Sequence, residues 1–495
     1  GGNYMHYETY EEYYVFINTL SALAANAIVS GTTGNPGSPP YVAGVTDNTN
    51  CLRSGTQYGN PNYTAPVLGC IYIDPNPIDK VNGQGHNYFL SKNPYVLNSY
   101  ALFGEAYYNI TQDLKLTGGL RWTEDRKHAP QIPSELLVAN TSGYPALAPV
   151  DQQWDQFTGR VAANWTPKLD FTDQTLVYGS YAHGYKAGGA NPPQPRIVVQ
   201  GDVGGPQSGK ATIHPATFKP EFVDAFELGT KNTMLDDALT LNASAFYYNY
   251  TDYQISEIVD RTAVNQNFDA HIKGAELEMV WEPTPGLRFN LGAGYEDARL
   301  AKGSKAIDLM DRTAGNPDWM VVKPFPTNSS NCVIPISLYV NRNAYAVCEQ
   351  YHTHVTAIPG FDTTAANNGE GFYKDLSGNM LPNAPPYTMS FGAQYSLPVS
   401  SDWAATARAD VYWQADSWWR VFNDLSYDKL HGYSNLNLTL ILTNQGGWQV
   451  MLYDKNVLNT TAITGAFLNS DDTSLTTNVF LTDPNLFGIR VTKNW

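Results

Sequence analysis

Long apolar runs are missing from this chain of 495 residues. The best candidate, the stretch 17–29, is broken by Asn18, Thr19, Ser21 and Asn26, whereas a membrane-crossing helix needs about 20 apolar residues. Basic residues are also few: 30 Lys+Arg against 46 Asp+Glu leave a net charge of −16. No basic stripe is present, which excludes a nucleic-acid partner. Charge of either sign is scarce, at 15 % against about 25 % in an average soluble domain. With aromatics at 13 %, that balance excludes a disordered chain. No Pro/Ser-rich linker or shift of composition divides the sequence. The opening Gly1-Gly2-Asn3-Tyr4 has neither an initiator Met nor an apolar signal segment, the beginning expected of a mature exported protein or of a piece of a longer one. Neither GxSxG nor HExxH occurs, so no enzyme activity, catalytic residue, metal site or cofactor is expected. His352 and His354, Asp308 and Asp311, and Asp471-Asp472 read as solvated loop residues. Cysteine is limited to four residues, in two local pairs, Cys51 with Cys70 and Cys332 with Cys348. They lack the CxxC spacing of metal sites. Two loop disulfides in an oxidising compartment are expected; four free thiols are the alternative.

What is abundant is alternation. From Ser99 to Ile110 one face reads Tyr100, Leu102, Gly104, Ala106, Tyr108, Ile110 and the other Ser99, Ala101, Phe103, Glu105, Tyr107, Asn109. The same grammar recurs: Leu239, Leu241, Ala243, Ala245 and Tyr247 against Thr240, Asn242, Ser244, Phe246 and Tyr248, and again from Leu287 and from Trp403. Alternation over roughly ten residues is the mark of a transmembrane β-strand. The apolar faces begin or end in Trp or Tyr (Trp122, Trp165, Trp281, Tyr295, Trp413), as a membrane-interface girdle requires. The opposite faces carry both signs of charge (Glu105, Arg121, Arg160, Glu227, Lys231, Arg408), which suits a wet or plugged lumen. Hydrocarbon offers the backbone no partners, so such a sheet must close.

Fourteen strands are expected: 4–17, 95–110, 114–126, 153–166, 173–187, 218–233, 238–258, 264–282, 287–300, 386–398, 403–421, 429–444, 448–467 and 478–495. Their connections alternate in length. Short turns at 111–113, 167–172, 235–237, 284–286, 400–402 and 445–447 separate long connections at 21–88, 127–152, 188–217, 301–385 and 468–477, with shorter ones near 259–263 and 423–429. Outer-membrane barrels pair short periplasmic turns with long extracellular loops, so the long loops 21–88 and 301–385, which hold the Cys pairs, are expected outside the cell and the C-terminus in the periplasm.

Particular motifs then resemble a known family. Tyr178-Gly179-Ser180-Tyr181-Ala182-His183-Gly184-Tyr185-Lys186-Ala187-Gly188-Gly189, followed by Phe218-Lys219-Pro220-Glu221 and Phe226-Glu227-Leu228-Gly229-Thr230-Lys231, resembles the GYKxGG…FkPE…ElGxK order of TonB-dependent outer-membrane receptors. Leu116-Thr117-Gly118-Gly119-Leu120-Arg121-Trp122 and the turn Asn456-Val457-Leu458-Asn459 resemble further family segments, with Val457 where Leu is usual. The closing strand, with Phe487, Ile489, Val491 and Trp495, resembles the aromatic assembly signal of outer-membrane proteins.

The resemblance implies a 22-stranded barrel filled by an N-terminal plug. Plug, energy-coupling box and about eight strands are absent from this chain, so 1–495 reads as the C-terminal portion of a receptor barrel. The implied function is TonB-dependent import of a scarce nutrient, an iron–siderophore chelate by default, across the bacterial outer membrane. A passive porin or a surface-binding barrel is the alternative class; carbohydrate, cobalamin or an aromatic compound is the alternative cargo. Implied partners are outer-membrane lipid and lipopolysaccharide, the TonB complex acting through a plug outside this chain, the barrel-assembly machinery and a small-molecule ligand. Within the motifs Tyr185, Lys186, Glu221, Glu227 and Lys231 are candidate lumen or rim residues. The loop aromatics Tyr339, Tyr345, Tyr351 and Tyr373 are candidate ligand contacts.

Overall fold

The computed structural model describes residues 1–15, 89–132, 135–136, 147–193, 215–259, 262–322, 331–339, 362, 364–469, 471 and 475–495. Fourteen long strands form one antiparallel sheet in sequence order: β1 (Gly2–Val15), β2 (Phe89–Asn109), β3 (Leu114–Gln131), β4 (Leu147–Trp165), β5 (Gln174–Lys186), β6 (Glu221–Met234), β7 (Leu239–Val259), β8 (Thr262–Thr284), β9 (Leu287–Leu300), β10 (Tyr387–Pro398), β11 (Trp403–Gln414), β12 (Tyr433–Asn444), β13 (Trp448–Lys455) and β14 (Leu486–Lys493). Among the described residues β1 pairs only with β2, and β14 only with β13. Tight turns join the strands at one end. Leu235, Asp236 and Asp237 take left-handed backbone angles between β6 and β7. Gly286 closes β8 to β9 at φ +85°, where a Cβ would sit 2.3 Å from the Ser396 carbonyl oxygen, so a side chain there is excluded.

The register lines up like residues across strands. Leu241, Met279, Leu291, Phe391, Val411 and Leu436 form one apolar row from β7 to β12. The adjacent row, Asn242, Glu278, Gly292, Ser390, Tyr412 and Asn435, faces the other way and is polar. The apolar face is uncovered: Leu102 is 64 % exposed, Phe157 62 % and Ile489 64 %. In water such a surface would be an aggregation site; in lipid it is the required one.

Packing of the conventional kind occurs on the polar face, at the end bearing the long connections. There Phe268, Ala270, Ala298 and Leu300 from β8 and β9 pack with Ala306, Leu376, Leu381, Ala384 and Val421 from the connections. A bulge makes this possible. The β7–β8 register shifts between Tyr250 and Tyr253, so even-numbered residues lie on the polar face before it and Tyr253, Ile255 and Glu257 lie there after it. Without the extra residue, each would turn to the opposite side.

Three expected strands are shorter in the structure by seven residues or more. β11 stops at Gln414 rather than 421, β13 at Lys455 rather than 467, and β14 starts at Leu486 rather than 478. Asn456 ends β13. It sits at φ 49°, its amide donates to the carbonyls of Thr460 and Asp483, and its oxygen accepts from the Thr460 N–H. Beyond it, Ile463–Leu468 and Thr477–Leu481 form a separate ribbon, as do Ser417–Trp418 and Lys429–Leu430.

Candidate functional site: the rim carrying the long connections

The motif between β5 and β6 forms a buckle. Tyr185 packs tilted against Phe222 with ring centroids 5.7 Å apart, and Lys186 lies 3.7 Å from Glu221. The chain then crosses as Gly189–Ala190, paired with Thr217–Phe218. A Cβ on Gly188 would lie 2.4 Å from the Phe218 carbonyl oxygen and 2.9 Å from the Trp154 ring, so only glycine passes. Amide side chains hold the crossing down. Gln254 donates to the carbonyls of Ala187 (3.1 Å) and Lys219 (3.0 Å), and Asn267 donates to Lys219 as well. Lys127 Nζ donates to the Gly188 carbonyl at 2.5 Å. Asn191, 2 % exposed, donates to the carbonyls of Pro215 and Asn265 and accepts from the Asn265 N–H. Glu221 accepts the Gln254 backbone N–H at 2.8 Å. Lys127, Gln254 and Asn267 escape the sequence reading because they are far from the motif, and Asn191 because it lies two residues past the motif's end. The run Asn265-Gln266-Asn267, unusually rich in amides for a strand, was the available signal.

Two buried arginines tie the long connections together. Arg420 donates to Asp308 (2.7 Å) and to Asp428 (2.6 Å), and Asp308 also accepts from Lys374 at 3.0 Å. Arg312 donates to the Glu370 carboxylate (3.0 Å) and carbonyl (2.7 Å) and pairs with Asp471; Asp471 further accepts from the Asn331 amide at 3.1 Å. Asp308, Arg312, Glu370, Asp428 and Asp471 are nearly or fully buried. Burial pushes the Asp308 carboxyl up, but Arg420, its hydrogen bonds and Lys374 outweigh it and hold the group below its ordinary range. Asp428 ends above its ordinary range, because burial there exceeds the attraction of Arg420. The expectation of solvated loop acids is therefore corrected for Asp308 and Asp471: each serves a buried guanidinium. Asp311 keeps more solvent and pairs with Lys374 at 2.8 Å.

Lower on the polar face, Glu227 accepts the Tyr178 hydroxyl at 2.6 Å, Arg160 pairs with Glu105 at 2.5 Å, and Arg408 reaches Asp410, Gln394 and Asn290. Lys231 shares this face with Asn242 but makes no ion pair among the described residues. Tyr339 and Tyr373 are both about half-exposed; Lys305 lies over the Tyr373 ring at 4.8 Å. Cys332 is fully buried and its sulfur is disulfide-bonded. Tyr345, Tyr351, His352, His354, Asp472, Cys51, Cys70 and Cys348 lie outside the described residues. Phe487, Ile489 and Val491 are exposed on the apolar face of β14, and Trp495 is exposed at its end.

The sheet is thus apolar on one face and polar on the other, and cross-braced connections cap the polar face at one end. The family described as "TonB dependent receptor-like, beta-barrel" matches residues 2–465. The chain belongs to the TonB-dependent receptors. Among solved structures, this receptor chain is similar to the ferric yersiniabactin uptake receptor FyuA from Yersinia pestis, at 16 % identity and a TM-score of 0.54 over 82 % of this chain and 47 % of that one. It is also similar to the siderophore receptor PiuA from Acinetobacter baumannii, at 16 % identity and a TM-score of 0.50 over 82 % and 44 %. These likenesses concern the fold, and the chain spans less than half the length of either protein. Members of the family are outer-membrane barrels acting as receptors and transporters. In such barrels the apolar face meets lipid and the polar face lines the lumen, so the braced connections stand at one mouth.

Proposed function

We propose that this receptor imports a scarce nutrient across a bacterial outer membrane, driven by TonB, with an iron–siderophore chelate as cargo. The observation that carries this reading is the family match along nearly the whole chain; the braced rim supports it, because a receptor needs a preformed surface at its mouth. In this reading the fourteen strands are the C-terminal part of the barrel, a plug outside this chain couples to TonB, and the long connections face the medium. Ligand meets those connections, including Tyr339 and Tyr373, while Tyr185, Lys186, Glu221, Glu227 and Lys231 shape the wall. Disulfides Cys51–Cys70 and Cys332–Cys348 clip the two longest loops. Lipid and lipopolysaccharide surround the apolar face, and β14 is read by the assembly machinery.

Deletion of the gene, followed by growth on a panel of ferric siderophores under iron starvation, tests the reading. At least one chelate should fail to support growth, and its radiolabelled iron should enter wild-type cells only while TonB is active. Uptake that persists without TonB, or no change for any chelate, would overturn it.

A further inference from the structure

Above the bulge, the polar face of β7 and β8 does not meet the connections everywhere. A cavity of about 330 Å³ remains between them, lined mainly by apolar side chains such as Ile255, Phe268, Leu309 and Phe422. Pockets for small ligands begin at about this size and carry few polar groups, each of which fixes orientation. Two polar groups decide the chemistry here. Arg420 is 9 % exposed; its Nη1 and Nε are used by Asp308 and Asp428, while its buried Nη2 finds no acceptor among the described residues. Glu257 also lines the cavity and accepts from the Gln266 amide. A buried donor left without a partner is costly, so an acceptor oxygen entering this cavity recovers that loss. Net charge argues against an anion. Asp308, shared with Lys374, and Asp428 already occupy two edges of Arg420, and an entering carboxylate would lie beside Glu257 in apolar surroundings. A cation would meet the guanidinium in apolar surroundings.

We propose that this cavity binds an uncharged phenol-type compound, its ring among the apolar side chains and its hydroxyl oxygen on Arg420 Nη2, with Glu257 available to the hydroxyl hydrogen. The site is independent of the import reading: it requires only the braced connections and stands or falls by direct binding.

The test is calorimetric titration of the purified full-length receptor with 4-methylphenol, toluene and 4-methylbenzoate. 4-Methylphenol should bind at least ten-fold more tightly than either of the others. Equal affinity for toluene would show that the free donor plays no part, and tighter binding of 4-methylbenzoate would reverse the charge argument; either result overturns the proposal, as does absence of binding by 4-methylphenol. Ala466→Phe, on the ribbon at the cavity edge, should abolish the binding, and Glu257→Gln should weaken it several-fold. Unchanged affinity in Ala466→Phe would place the ligand elsewhere and also overturn the assignment. Because the three-compound comparison uses wild-type receptor, it decides the matter even where a variant fails to assemble.

Discussion

At the residue scale the side of the sheet decides what a position tolerates. Leu241 sits in the apolar row beside Met279, and Asn242 in the polar row beside Glu278. Leu241→Arg places a charge on the apolar face one row inside Trp281 and should cost about 1–2 kcal/mol, between the interface and midplane values; Asn242→Arg, with a carboxylate opposite, should be nearly neutral. Heat-modifiability of the folded barrel on gels checks this, and equal losses would show the faces to be reversed. Glu257 obeys a different environment. It lies nine pairing positions beyond Tyr247, about 31 Å along the strand at 3.4 Å per residue, clear of the apolar band. Burial raises its carboxyl to about 7, with Asp308 adding to the rise and Arg312 and Arg420 opposing it. A carboxyl raised on folding favours the folded state while protonated. Its contribution is full below the unfolded value of 4.5 and lost as pH rises through about 7. Hydrogen-exchange protection across the connections, taken relative to the intrinsic exchange rate at each pH, should therefore fall between pH 4.5 and about 7, and Glu257→Gln should flatten that fall. Protection that is constant with pH in the wild type would contradict the buried setting.

At the element scale the strands were legible because their period of two runs for ten residues and each short turn names itself, as at Leu235-Asp236-Asp237. The ends were not. The β-prone segments Ser417–Trp418 and Lys429–Leu430 pair with each other, as do Ile463–Leu468 and Thr477–Leu481; in the second case Asn456 stops β13 through side-chain bonds to Thr460 and Asp483 that local pattern does not reveal. Register beyond Tyr250 was hidden as well: a one-residue bulge leaves no compositional trace but changes which face carries Ile255 and Glu257. The bracing of the connections rests on pairs far apart in sequence, Arg312 with Asp471 and Arg420 with Asp308. Breaking a buried ion pair leaves an uncompensated charge and costs about 3–5 kcal/mol. Arg312→Met removes the guanidinium that joins Glu370 to Asp471, so the connections should become sensitive to protease while the fourteen strands stay resistant. Equal loss of resistance in both parts would mean that the rim and the wall unfold as one unit.

At the scale of the whole molecule, the alternation of short and long connections carried the reading of a membrane barrel, and the ordered motifs carried the family; neither depended on the side-chain contacts that build the rim. What sequence could not supply was the destination of the 301–385 connection. Its Gly, Pro and Asn content reads as open loop, whereas Ala306, Leu376 and Leu381 pack onto the polar face of β8 and β9. Much of the described part of the connection thus lies over the polar face, and particular turns stay accessible. Lys302-Gly303 is one of these: both residues are exposed, and Gly303 turns at φ +94° with open space around its Cα. Under the proposed orientation this turn faces the medium, because it follows β9, which starts at the short-turn end. A biotin-acceptor peptide inserted between Lys302 and Gly303 should be modified by external ligase on intact cells, and the same peptide between Asp236 and Asp237, in the short turn before β7, only after the outer membrane is opened. The reverse pattern would invert the whole barrel, and labelling of both sites on intact cells would mean that the sheet does not span the membrane.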